Sequence, residues 1–190
     1  MKKNGFTLIE VISVMVILGI IMIIAIPAVA KYILSSDNAT YATDVTAYLE
    51  TARGEYEMKE YGSLLYDDEI MIVPFAYIEL EKGTKESPYG EFVLDKSYMV
   101  VVPENNGYQF YANVVDETGH GVVMKKQQEL SRDSIEENVK NEIISWKTYL
   151  DSETIFTIDG KNYSKCDLRE KEGTEGSGID ANIIVLCKEN

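Results

Sequence analysis

Residues 11–30 read VISVMVILGIIMIIAIPAVA. Seventeen of these 20 residues are Ala, Val, Ile, Leu or Met, and the others are Ser13, Gly19 and Pro27. As a helix, about 20 such residues span the ~30 Å hydrocarbon core of a bilayer. Lys2 and Lys3 precede the run, which the positive-inside tendency places in the cytoplasm. Only Glu10 and Lys31 bound it with charge. A secretory signal is the ordinary alternative, and Ala25-Ile26-Pro27 or Ala28-Val29-Ala30 would offer it a cleavage site. Against that, the run is longer than a usual signal core and Glu10 sits at its entrance.

The rest of the chain has the opposite character. The 190 residues carry 18 Lys plus Arg against 32 Asp plus Glu, a net charge of −14, and the first 30 hold only Lys2, Lys3 and Glu10. The pattern is an apolar rod on an acidic, water-facing domain. Such acidity argues against direct nucleic-acid binding, which needs a basic face against phosphate. One His and two Cys rule out multi-imidazole catalysis and four-Cys zinc sites.

Glu10 calls for a reason. A carboxylate entering a bilayer costs on the order of 2–3 kcal/mol, so it marks a function and requires a partner. The apolar segment holds no base. An α-amino group released by cleavage just upstream would serve.

The stretch Lys2-Lys3-Asn4-Gly5-Phe6-Thr7-Leu8-Ile9-Glu10, followed by the long apolar run, resembles the class III signal of type IV prepilins. The resemblance implies cleavage between Gly5 and Phe6 by a prepilin peptidase, then N-methylation of Phe6. The apolar segment stays on the mature chain. Phe6 would then present an amine that is positive near neutral pH, one helical turn from Glu10. Gly19 and Pro27 match the glycine and proline of pilin N-terminal helices. Pro27 lacks an amide N–H and clashes with the carbonyl of Ile23, so a kink or opening is expected there. By resemblance, residues 19–27 stretch in a filament. Gly and Pro are also simply common in membrane helices.

Beyond Lys31 the helix is expected to continue. Tyr41, Val45, Tyr48, Leu49, Ala52 and Tyr56 recur at steps of three or four, while Asp37, Asp44, Glu50 and Arg53 fall largely off that stripe. A helix to about Met58 would be roughly 80 Å long. Strands are expected over Ile70–Leu80, Glu91–Val102 and Tyr108–Val115, with a turn at Asn105-Asn106-Gly107. Ile135, Val139, Ile143, Trp146 and Leu150 predict a second helix near 134–150, opened by a Ser134/Glu137 capping box. A hairpin through Asp159-Gly160, a polar loop over 170–180 and a strand at Ile183–Leu186 complete the chain. Ser87-Pro88-Tyr89-Gly90 loosely resembles a turn of bacterial pilins and pseudopilins.

The fold class is therefore α+β: a long N-terminal helix packed on an antiparallel sheet, with an extra helix near 134–150. The expected divisions are a leader at 1–5, a membrane and filament-core helix at 6–30, its amphipathic half at 31–58, and a globular head at 59–190. Cys166 and Cys187 would close a loop worth about 3 kcal/mol by chain entropy. The resemblance favours that pairing, since a C-terminal disulfide loop recurs in pilins. Two free thiols are the alternative.

Other constellations carry little. His120, between Gly119 and Gly121, reads as a turn residue. Asp67-Asp68-Glu69 lacks the spread of oxygens that calcium requires and reads as a solvated loop. Asn38 and Asn162 begin glycosylation-like triplets too short to trust. No catalytic site, metal site or cofactor is expected.

The function implied is a structural subunit of a type IV pilus. It would move from the cytoplasmic membrane, as a single-pass protein, into a surface homo-oligomeric filament through an assembly platform and ATPases, and serve adhesion, motility or DNA uptake. The alternatives are a pseudopilin of a type II secretion or competence system, and a bitopic membrane protein whose head binds a ligand or acts as an enzyme.

Overall fold

The computed structural model describes residues 6–58, 65–78, 85–104, 107–151, 153–166 and 183–189, with the side chains of 55–58 excepted. The chain divides into two compact units, Met1–Asp37 and Asn38–Asn190. One helix, α1 (Leu8–Met58), runs from the first into the second, with Pro27 inside it.

In the first unit the large apolar side chains stand open. Exposure is 70% at Ile9, 58% at Ile17 and 74% at Ile23. In the second unit the helix buries one stripe. Tyr41, Val45, Tyr48, Leu49 and Ala52 are closed off from solvent, as the three–four spacing predicts. Tyr48 stacks on Phe75 with centroids 4.5 Å apart and meets Phe92 edge-on at 5.7 Å. Tyr41 also meets Phe92 edge-on, at 5.4 Å.

The strands are β1 (Glu69–Pro74), β2 (Glu86–Ser87), β3 (Gly90–Glu91), β4 (Tyr98–Glu104), β5 (Gly107–Val115), β6 (Gly121–Lys126), β7 (Phe156–Ile158), β8 (Lys161–Lys165) and β9 (Ile184–Lys188). Seven form one sheet in the order β6-β5-β4-β1-β9-β8-β7, and β2 with β3 makes a small hairpin. The pairings are antiparallel. The last strand, β9, thus sits between β1 and β8 near the middle of the sheet.

Both sheet faces are covered, which is why β1 and β4 read as nearly unbroken apolar runs rather than alternating ones. Met71, Met99, Val101, Ala112 and Val114 pack with the α1 stripe. Ile70, Ile72, Val100, Tyr111 and Leu186 face the other way, against Val139, Ile143, Trp146 and Tyr149.

The predicted helix near 134–150 is corrected. The segment is a series of 3-10 turns at Arg132–Ser134, Val139–Asn141 and Trp146–Leu150. Its backbone groups are spent on other elements. The N–H and C=O of Glu136 both pair with Gly121 at 2.9 Å, Val139 N–H reaches Gly119 O, and Trp146 N–H reaches Asp95 O. Asn138 adopts a left-handed φ of 64°, which interrupts any α-helix. The apolar spacing still marks the inward side chains, because a 3-10 turn also repeats about every three residues. Tyr149 is buried, whereas Leu150 is 46% exposed. Ser134 caps differently from the prediction: its Oγ accepts the N–H of Ser131 at 3.2 Å and donates to Glu129 O at 2.9 Å.

Two strand expectations are also revised. The run from Ile70 stops at Pro74 and turns through a 3-10 segment, Phe75–Tyr77. The run from Glu91 breaks after Phe92, where Lys96 N–H closes a turn on Val93 O, and resumes at Tyr98. The hairpin through Asp159 and Gly160 forms as read. Both residues have positive φ, 50° and 72°, as a tight two-residue turn requires. The Asn105-Asn106 turn and the 170–180 loop lie outside the described residues.

A polar knot fastens the α1 stripe to two turns. Asp116 is fully buried, and its Oδ1 accepts N–H groups from Thr118, Gly119 and His120 at 2.9–3.1 Å. Ser87 Oγ donates to Asp116 Oδ2 at 2.9 Å and accepts the N–H of Tyr89 and Gly90, which shapes the β2–β3 turn. Tyr41 donates to His120 O at 2.8 Å. Burial, and secondarily the Asp116 charge, pushes the Tyr41 phenol well above its usual range. His120 is thus a turn residue, its ring stacked on Tyr89 at 3.9 Å.

Candidate processing and assembly segment

The segment begins with Phe6, 87% exposed. Gly5 and the rest of the expected leader lie outside the described residues. Thr7 then occupies the N-cap position and Glu10 the third helical position. Thr7 donates to Glu10 Oε2 twice, through its amide at 2.8 Å and its hydroxyl at 2.7 Å. The Glu10 amide is directed back at Thr7 Oγ1, at 3.4 Å. This is a reciprocal capping box, which satisfies helix-start donors that otherwise lack partners. The carboxylate also lies where a helix N-terminus favours negative charge.

This role of Glu10 was missed in the sequence reading, although Thr7-Leu8-Ile9-Glu10 carries the required T-x-x-E pattern. The carboxylate's nearest donors are those of the helix start itself.

Further along, Ser13 Oγ donates to Ile9 O at 2.7 Å, returning its hydroxyl to the helix backbone. That removes an unpaired polar group from an apolar surface. Gly19 and Pro27 both lie within the unbroken helical span of α1. A Cβ added at Gly19 would meet nothing within 4 Å. The helix assignment thus continues through Pro27 in the single chain. The helix is long and apolar enough to cross a membrane, and its most apolar window is 0% buried.

In the other unit Cys166 and Cys187 form a disulfide, with Cα atoms 5.1 Å apart. It links the end of β8 to β9. Of the acidic triplet, Asp67 and Asp68 are exposed as expected, but Glu69 is buried at 5% exposure.

Residues 1–26 match the model of the prokaryotic N-terminal methylation motif. No curated protein and no solved structure matches the chain. The match covers the basic leader, Gly5-Phe6, Glu10 and most of the apolar run. The N-terminal segment is thus of the type IV prepilin kind, carried by an α+β protein whose head has a seven-stranded antiparallel sheet.

Proposed function

We propose that the chain is a structural subunit of a type IV pilus-like filament. The observation that carries this reading is the methylation motif placed on a helix whose apolar half has none of its residues buried. In water such a surface must be covered, and lipid followed by neighbouring copies would cover it in turn.

On this reading the prepilin peptidase cuts between Gly5 and Phe6, where a side chain at Gly5 would obstruct the enzyme. Phe6 is then methylated. Before assembly the chain is a single-pass protein of the cytoplasmic membrane. Afterwards it is part of a surface homo-oligomer built by a platform and ATPases. Its divisions are the leader at 1–5, the filament-core helix at 6–30, the amphipathic half at 31–58 and the head at 59–190. Gly19 and Pro27 bracket the stretch that opens in the filament. Adhesion, motility or DNA uptake would be the filament's use.

Glu10 serves twice in this scheme. In the single chain it caps the helix. In the filament it neutralises the Phe6 amine of a neighbour. Glu10→Gln separates the two roles, since Gln also completes a capping box but carries no charge. Both Glu10→Ala and Glu10→Gln should insert and be cleaved yet enter filaments poorly. The buried unpaired amine costs about 3–5 kcal/mol when fully desolvated. Intact mass of sheared surface fibres should show loss of residues 1–5 and one added methyl. A mature chain starting near Lys31 would defeat the proposal. Normal incorporation of Glu10→Gln would reduce Glu10 to a cap. Processed chain that never reaches sheared fibres would favour the pseudopilin alternative.

A further inference from the structure

Three ligand-bearing residues converge on neighbouring strands of the head. Glu69 opens β1 and lies directly opposite Cys187 of β9. Cross-strand partners share a face, so the two side chains stand side by side. Cys166 immediately follows β8, which borders β9 on its other edge. A Glu69 carboxylate oxygen and both sulfurs lie within 4.8 Å of one another.

The carboxylate is unusual in this position. Glu69 is 5% exposed, and among the described residues it takes part in none of the ion pairs. Its Oε2 accepts the N–H of Tyr66 at 3.2 Å. Its Oε1 lies 3.9 Å from Cys187 Sγ, a sulfur with no proton to donate while bonded to Cys166. A buried carboxylate oxygen aimed at a disulfide sulfur gains no hydrogen bond from it.

We infer that, once the Cys166–Cys187 bond is reduced, both sulfurs and Glu69 form a binding site for a thiophilic divalent cation of the zinc class. Reduction by a phosphine balances as follows. The S–S bond breaks and takes up two electrons and two protons, giving two thiols, while the phosphine becomes its oxide with oxygen from water. Cation binding releases both thiol protons to solvent. Two thiolates and one carboxylate then face the ion, and water takes the fourth tetrahedral position.

One spacing already suits this ion, while the two sulfurs, bonded to each other here, must separate on reduction. Bonds of about 2.3 Å to sulfur and about 2.1 Å to oxygen set tetrahedral ligands about 3.6–3.8 Å apart. The Cys187 Sγ to Glu69 Oε1 separation of 3.9 Å is already close to that. Calcium and magnesium do not suit a set with two soft donors, since they take six or more oxygens.

The test uses the full chain in detergent, reduced by a phosphine and titrated with Co²⁺ as the probe. One equivalent should raise a thiolate-to-cobalt absorption band in the near ultraviolet, and Zn²⁺ should abolish it. The oxidised chain should give no band. Glu69→Gln should weaken binding at least tenfold, and Glu69→Asp should recover part of that loss. Equal affinity in Glu69→Gln overturns the inference, since a thiol pair alone would then account for binding. Absence of the band in a reduced chain of unchanged far-ultraviolet dichroism also overturns it, as does loss of the β-sheet signal on reduction.

Discussion

Leu8–Leu34 and Tyr41–Gly54 belong to the same helix yet depend on different surroundings. In the first stretch apolar residues occupy every side, and those from Leu8 to Leu34 that are large stand 42–79% exposed. In the second, apolar residues occupy one side, and that side is closed by Phe75, Phe92 and strands of the sheet. Helical hydrogen bonding is common to both, so it is not what distinguishes them. A one-sided stripe identifies a partner within the same chain. Apolarity all round identifies a partner outside it, whether lipid or other copies.

The largest test of that contrast removes the first stretch. A chain beginning at Asn38 should be soluble without detergent and should unfold cooperatively, because the head's core draws on residues from Tyr41 onward. The full chain should require detergent or self-associate. Sedimentation and far-ultraviolet dichroism report both properties. A truncated chain that aggregates or lacks sheet signal would mean that the second stretch also depends on the first.

A pair of glycines sharpens the comparison. At Gly121 a Cβ would lie 2.3 Å from Val114 O and 2.6 Å from a Val139 methyl. Gly121→Ala must displace strand backbone and should cost about 3–4 kcal/mol in urea unfolding of the head. At Gly19 the same change meets nothing within 4 Å and should favour the helix by about 0.5–1 kcal/mol. Equal tolerance at both positions would contradict the packed environment assigned to Gly121.

Legibility followed the same division. The α1 stripe, the prepilin motif and the Asp159-Gly160 hairpin rest on local pattern, and the Cys166–Cys187 pair is what the pilin resemblance implies. The 132–150 segment failed because its spacing reported which side chains turn inward, not how the backbone is bonded. Glu136, Val139 and Trp146 give their amides to Gly121, Gly119 and Asp95, residues distant in sequence. The central place of β9 was hidden for the same reason, and so was the burial of Glu69, which depends on β9 lying beside it. The Thr7–Glu10 cap is equally local, carried by the T-x-x-E pattern, but the membrane cost of a carboxylate points to a cation rather than to the donors of the helix start.

The disulfide gives a middle-sized effect confined to the second unit. Cys166→Ser should lower head stability by about 3 kcal/mol by the loop-entropy relation. It should leave helicity of the first stretch unchanged, since both cysteines lie beyond Asp37. Urea unfolding with a head-specific probe such as Trp146 fluorescence measures the first effect. A loss well under 1 kcal/mol would show that pairing of β9 on both edges already holds the C-terminal strand.

The smallest expected effect lies inside the buried stripe. Tyr48 packs its ring on Phe75, but its hydroxyl is buried with no hydrogen-bond partner among the described residues. Burial, then the nearby Asp44 charge, pushes its phenol up to about 12. Tyr48→Phe keeps the stacked ring and removes the unsatisfied group, so it should stabilise the head by about 1 kcal/mol near neutral pH. The sign with pH follows from linkage. In the unfolded chain a tyrosine ionises near pH 10, below the folded value, so the wild type loses stability as pH rises from about 10 toward 12. Phenylalanine has no proton to lose, and the advantage of the variant should widen across that window. Urea unfolding at pH 7, 9.5 and 11.5 reads the difference. A variant less stable than wild type at pH 7 would mean that the hydroxyl is satisfied in solution. The stripe would then tolerate polarity that a core closed by its own sheet should not.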